Sequence, residues 1–192
     1  MNELDPGFEL ILARLIEQIE HLRFGKYRGT VATVHDDDGL CRITARVPEI
    51  YGTSESPPAM PAVPFAGPDH GMVFLPEQGD GVWIEFEAGD INRPIYSGFW
   101  WANDQRPDPQ GDRIRLIATK DGHQIILDEE HNEIEIKHPG NGSIKISDGE
   151  ISLTQGNSSI TLSNTEINMN DGMVKVTTAG VSFVNDQIKF GA

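Results

Sequence analysis

The 192-residue chain has one cysteine, Cys41, so neither an intrachain disulfide framework nor a cysteine-based zinc site can form. Basic residues are scarce: 15 Lys and Arg stand against 30 Asp and Glu, a formal net charge of −15. Electrostatic binding to nucleic acid needs the opposite sign, because basic groups must displace counterions from phosphates. No apolar run approaches the ~18 residues that would cross a bilayer. The opening MNELDPGFEL lacks the basic stretch and cleavage pattern of a secretory signal. The expectation is a soluble protein made in a reducing compartment.

Past residue 110 two further things run out. Eleven of the twelve prolines and twelve of the fourteen aromatics precede that point, leaving Pro139, Phe183 and Phe190 beyond it. Residues 111–192 are instead rich in Ile, Asn, Ser, Thr and Gly. A compact core draws much of its burial from large aromatic side chains. The second part is therefore not expected to fold as a conventional globular domain, and two regions with different physics share the chain.

The N-terminal stretch, residues 1–25, reads as one amphipathic helix. Phe8, Ile11, Leu12, Leu15, Ile16, Ile19 and Leu22 follow the spacing of an apolar stripe. Asp5-Pro6 supplies a start and Gly25 a stop. Such a stripe calls for burial, either by packing on its own chain or oligomer, or by docking on a partner protein.

Residues 26–101 read as several short β-strands. Lys26–Val34 and Leu40–Val47 flank the acidic turn Asp36-Asp37-Asp38-Gly39, a hairpin signal. A loop follows from Pro48 to Pro68, then strand-like runs Met72–Leu75, Gly81–Glu87 and Ile91–Trp101. About five strands with no convincing internal helix point to a small closed or nearly closed barrel of the OB type. Residues 102–112 read as a linker.

From residue 113 to 192 a repeat takes over. Apolar pairs split by one polar residue keep returning: Ile125/Leu127, Ile134/Ile136, Ile144/Ile146, Ile151/Leu153, Ile160/Leu162, Ile167/Met169, Val174/Val176, Val181/Phe183 and Ile188/Phe190. Turn residues such as Asp148-Gly149 and Gly156-Asn157 lie between them. One such strand offers only two apolar side chains to a core, and a period near seven leaves room for one strand and one corner. Three chains wound about a common axis, each giving one wall of a triangular prism, would bury the pairs and leave little free strand edge. The competing arrangement is a series of hairpins in an ordinary sheet. The fold class expected is mainly β: a helix, a barrel, then a trimeric intertwined β-helical prism.

Particular motifs narrow this further. Arg23–Val31, Met60–Pro68, and above all Phe74-Leu75-Pro76-Glu77-Gln78-Gly79-Asp80-Gly81-Val82-Trp83-Ile84-Glu85-Phe86-Glu87, continuing to Arg93-Pro94-Ile95-Tyr96-Ser97-Gly98-Phe99-Trp100, resemble the OB-fold domain of the phage baseplate assembly protein V family. That family comprises the central spike proteins of contractile tails and injection systems, and the corresponding part of VgrG is similar. The resemblance implies a homotrimeric, non-enzymatic spike, assembled in the cytoplasm and placed in a virion or injection-particle baseplate. It would attach to the hub protein through the OB domain and pierce the target cell envelope on sheath contraction. In that reading the needle's trimer core comprises Ile134, Ile136, Ile144, Ile146, Ile151, Leu153, Ile160, Leu162, Ile167, Met169, Val174, Val176, Val181 and Phe183. Ile188 and Phe190 would seat a PAAR-type tip protein, and the helix stripe would pack or dock on the hub.

The resemblance is partial. Some relatives insert a lysozyme domain where only Ala102–Asp112 stands here, and others end in a metal-bound apex built on a His-x-His pair, whereas no histidine follows His138. No cofactor or metal is expected. His123, His131 and His138 read as exposed strand-end histidines rather than a ring of zinc ligands. Glu129, Glu130, Glu133 and Glu135 read as a solvated face rather than an acid/base pair. Asp36-Asp37-Asp38 lacks the ligand spacing of a calcium loop. The alternatives in other classes are a trimeric β-helical enzyme and an acidic OB-fold binding module.

Overall fold

The computed structural model describes residues 6–20, 22–183 and 188–190. The chain divides into two compact units, Met1–Gln105 and Arg106–Ala192, a boundary inside the expected linker.

In the first unit, α1 spans Pro6–Glu20, with proline at its start, where a missing N–H costs nothing. The chain then fastens to the barrel. The Arg23 N–H donates to the Gly89 carbonyl at 2.9 Å. A Cβ on Gly89 would lie 3.1 Å from Leu22 Cβ and 3.0 Å from Phe24 Cζ, so glycine is what lets these residues approach.

The barrel elements are β1 (Tyr27–Thr33), β2 (Thr44–Arg46), α2 (Pro48–Tyr51), β3 (Met60–Pro61), β4 (Ala66–Gly67), β5 (His70–Gly71), β6 (Gly81–Phe86) and β7 (Pro94–Trp100). Five strands form one sheet in the order β2-β1-β6-β7-β3. The segment from Glu55 to Pro61 ties its two edges together. Arg46 bridges Glu55 and Ile43 bridges Ala59 on one side, while Met60 pairs with Ile95 and Pro61 with Tyr96 on the other. Alternation along β6 puts Val82, Ile84 and Phe86 inside, where they meet Val31, Ile43, Ala45, Val47, Ala59 and Tyr96. Two local expectations fail here. A short helix, α2, forms where none was foreseen, because Pro48 starts a turn that lays Ile50 and Tyr51 on the core. Met72–Leu75 is not a strand; the nearby pairing is the small β4–β5 hairpin instead.

The second unit is a single sheet of ten strands in chain order: β8 (Ile114–Ala118), β9 (Gln124–Asp128), β10 (Glu133–His138), β11 (Gly142–Ser147), β12 (Glu150–Gln155), β13 (Ser158–Ser163), β14 (Glu166–Met169), β15 (Val174–Thr177), β16 (Gly180–Phe183) and β17 (Ile188–Phe190). Every neighbouring pair is antiparallel. The backbone bonds expected to run between wound chains are thus made within one chain, as in the hairpin arrangement. The turns decide this. Asp148-Gly149, Gly156-Asn157 and Thr178-Ala179 are two-residue connections, short enough to reverse a strand onto its neighbour, with Gly149 at φ +77°. The strands form a meander within one chain rather than the expected winding between chains. Ten strands at ~4.8 Å spacing extend about 43 Å.

The two units differ in burial. Among the described residues, all fully covered hydrophobics but one belong to the first unit; the exception is Ile126, 4% exposed.

Candidate functional site

The register of the ten-stranded sheet builds its most unusual surface. One column runs Ile117, Ile125, Ile136, Ile144, Leu153, Ile160, Met169, Val174, Phe183, Ile188, each residue opposite the next across a strand pair. A second column, two residues along each strand, runs Arg115, Leu127, Ile134, Ile146, Ile151, Leu162, Ile167, Val176, Val181, Phe190. Both lie on the same face because side chains two apart in a strand point the same way. Arg115, on the first strand, is the one charged member.

This face inverts the usual relation between polarity and burial. In β10, Ile134 and Ile136 are 42% and 47% exposed while the flanking Glu133, Glu135 and Lys137 are half-buried. Of the fourteen residues expected to form a trimer core, ten lie between 36% exposed (Met169) and 48% (Leu153); Ile167, Val174, Val181 and Phe183 are half-buried. Ile188 is 51% exposed, and the side chain of Phe190 lies outside the described residues. Covering a half-exposed aliphatic side chain gains roughly 1 kcal/mol. The ten together would gain on the order of 10 kcal/mol per chain before the entropic cost of association. A continuous apolar stripe of this extent marks an interaction surface.

The opposite face is mostly polar, and charged residues on it pair with one another. Lys145 Nζ lies 2.8 Å from Glu133 Oε1 and Lys137 Nζ 3.0 Å from Glu135 Oε2; the Glu133 carboxylate raises the Lys145 pKa. The histidines divide between strand ends. His131 Nδ1 sits 2.9 Å from Asp128 Oδ2, which raises its pKa. His123 and His138 meet edge to face across β9 and β10, 5.0 Å between ring centres. His138 Nδ1 accepts the Gly140 N–H at 2.9 Å, which commits that lone pair to the turn. Among the described residues no three His, Cys, Asp or Glu gather as metal ligands. The acidic turn is likewise structural in its bonding: Asp36 accepts from the Leu40 and Arg42 N–H groups at 2.9 and 3.0 Å and pairs with the Arg42 guanidinium at 2.6 Å.

The first unit carries two further apolar surfaces. On α1, Phe8, Ile11, Leu12, Leu15, Ile16 and Ile19 are 41–63% exposed, whereas Leu22 is half-buried near Gly89. Around the β4–β5 hairpin, Leu40, Val63, Phe65, Met72, Val73 and Phe74 are 37–68% exposed. Sequence reasoning missed this second patch; the consecutive apolar run Met72–Leu75 was its signal, but it was read as a strand-like run.

The chain thus carries a small barrel of the OB type and a strand-repeat sheet with one exposed apolar face, the combination of a structural component rather than of a catalytic pocket. Residues 27–101 match the type VI secretion system/phage-baseplate injector OB domain, and residues 114–175 match the phage baseplate V C-terminal trimerisation domain. The chain belongs to the baseplate V family of phage tails and type VI secretion systems, as a spike-type structural component of a virion or injection particle. No curated protein matches the chain.

Proposed function

We propose that this protein is the homotrimeric central spike of a contractile tail or injection system. Three copies of the ten-stranded sheet turn their double apolar columns toward a common axis and close a three-walled needle. The single observation that carries this reading is the pair of apolar columns that runs without a charge from β9 to β17, and the match to a trimerisation domain supports the number three. We assign residues 1–25 to a helix, 26–101 to the OB domain, 102–112 to a linker and 113–192 to the needle. The OB domain attaches to the baseplate hub protein, for which the exposed apolar residues around Phe65 and Phe74 are the docking surface. A PAAR-type tip protein covers the last strands at Ile188 and Phe190. Assembly takes place in the cytoplasm, and sheath contraction then drives the needle through the target envelope. The work is mechanical, with no catalytic step, metal or cofactor. A prism of three sheets suits it, since each wall is a continuous hydrogen-bonded ladder and no wall can leave without exposing two others.

Light scattering on the full chain tests the proposal. The expected mass is three times 21.2 kDa, resistant to mild detergent. A stable, folded monomer at micromolar concentration overturns it.

A further inference from the structure

The helix α1 presents an apolar seam that its own chain leaves open. Phe8, Leu12, Leu15 and Ile19 are spaced 4, 3 and 4 residues apart, the a/d rhythm of a coiled coil. All four are 41–63% exposed. Leu22 would be the next seam position, but it is half-buried beside Gly89, so the open seam ends at Ile19, where the chain turns onto the barrel.

With Leu12 and Ile19 at a and Phe8 and Leu15 at d, Ile11 falls at g and Ile16 at e. These are the positions that usually carry charges. In a parallel assembly the g residue of one helix faces the following e residue of its neighbour, which pairs Ile11 with Ile16. An antiparallel pair would place g beside g and e beside e. Apolar g and e positions also widen the seam beyond the narrow stripe of a two-stranded coil. Charged residues fall elsewhere on the wheel: Arg14 at c, Glu17 at f and Glu20 at b, with Glu9 alone on the seam's rim at e.

We propose that α1 is a second trimerisation element: the helices of three copies form a short parallel coiled coil along Phe8–Ile19, in addition to the contacts of the sheets. The inference rests on the trimer proposed above. A 15-residue helix is marginal by itself in water. Copies already held together through their needles meet at high effective concentration, which removes most of the cost of bringing three chains together. A threefold assembly also requires the helices to run parallel, the orientation that pairs Ile11 with Ile16.

The test uses the full chain in a Cys41→Ser background with one added cysteine, Leu12→Cys or Leu15→Cys in the seam and Leu10→Cys at the outward f position. A short bifunctional thiol reagent is expected to join two of the three chains at positions 12 and 15 and none at position 10. In parallel, amide exchange is measured on the unmodified trimer. Slowing of the Phe8–Ile19 amides by on the order of a hundredfold is expected, against near-unprotected exchange for a lone exposed helix. This second reading stands even if the cysteine variants fail to fold. A chain of trimer mass with no seam cross-link and an unprotected helix overturns the inference alone and leaves the face to another protein. A chain of monomer mass overturns the trimer reading with it, so the two failures are distinguishable.

Discussion

Asp36 shows how one side chain shapes the first unit. Its carboxyl is 7% exposed and is held well below the usual carboxylate range, chiefly by the Arg42 side-chain hydrogen bonds and then by the Arg42 N–H. A depressed folded-state pKa contributes stability that is complete above the unfolded value near 3.8 and is lost as the pH falls toward the folded one. Asp36→Ala should therefore melt the first unit at lower temperature than wild type, by an amount constant from pH 5 to 8 that shrinks below about pH 4. Fluorescence of Trp83, Trp100 and Trp101, all in this unit, reports it. Tyr96 acts at the other end of the pH range. Its hydroxyl donates to the Cys41 carbonyl at 2.7 Å, and burial pushes its pKa up to about 12. Stability from this group is complete below pH ~10 and lost as the pH rises through the folded value. Tyr96→Phe should cost about 1–2 kcal/mol in denaturant titration at neutral pH, by leaving the carbonyl unpaired.

The strand is the unit at which the two faces of the ten-stranded sheet separate. Ile151 and Ser152 are neighbours on β12, yet Ile151 belongs to the apolar column and pairs with Ile146 and Leu162, while Ser152 faces the polar side with Lys145 and Thr161. Ile151→Lys would put three ammonium groups into one level of the proposed core, each costing several kcal/mol without a partner. Ser152→Lys changes only a solvated surface. Size-exclusion chromatography with light scattering should show loss of the trimer for the first and an unchanged mass for the second. Equal behaviour of the two would remove the apolar columns from the interface. At the same scale, the helix and the sheet obey different periods, and each period exposes a stripe that its own unit leaves uncovered.

The whole molecule is two units with opposite sources of stability. The barrel closes around Val31, Ile43, Val82 and Ile84, all at most 1% exposed, a core made within one chain. Among its described residues the sheet has nothing comparable, so on the proposed trimer its stability depends on the concentration of copies. Calorimetry of the full chain should resolve a transition independent of concentration and a second that rises in temperature as concentration increases. Two transitions that both ignore concentration would contradict an intermolecular core.

Much of this was legible in the residues themselves. Val82, Ile84 and Phe86 announced a half-buried strand, and the returning pairs from Ile125 onward announced the repeat, because a period of two forces alternate side chains to one face. The loss of proline and aromatics after residue 110 separated the two kinds of physics before any coordinate. Other features depended on partners distant in sequence. That Glu55–Pro61 seals the barrel follows from Ala59 meeting Ile43 and Met60 meeting Ile95, contacts no local pattern encodes. The sequence reading favoured strands wound between chains over hairpins, and the structure overturns it; both arrangements put the same pairs on one face, so periodicity does not separate them. The two-residue turns, once their backbone geometry was in place, decided for the meander, because a reversal that tight leaves each strand beside its own neighbour. Period and composition were determined by the chain alone; pairing was decided only in three dimensions, where hydrogen-bond geometry selects among folds that put the same residues on one face.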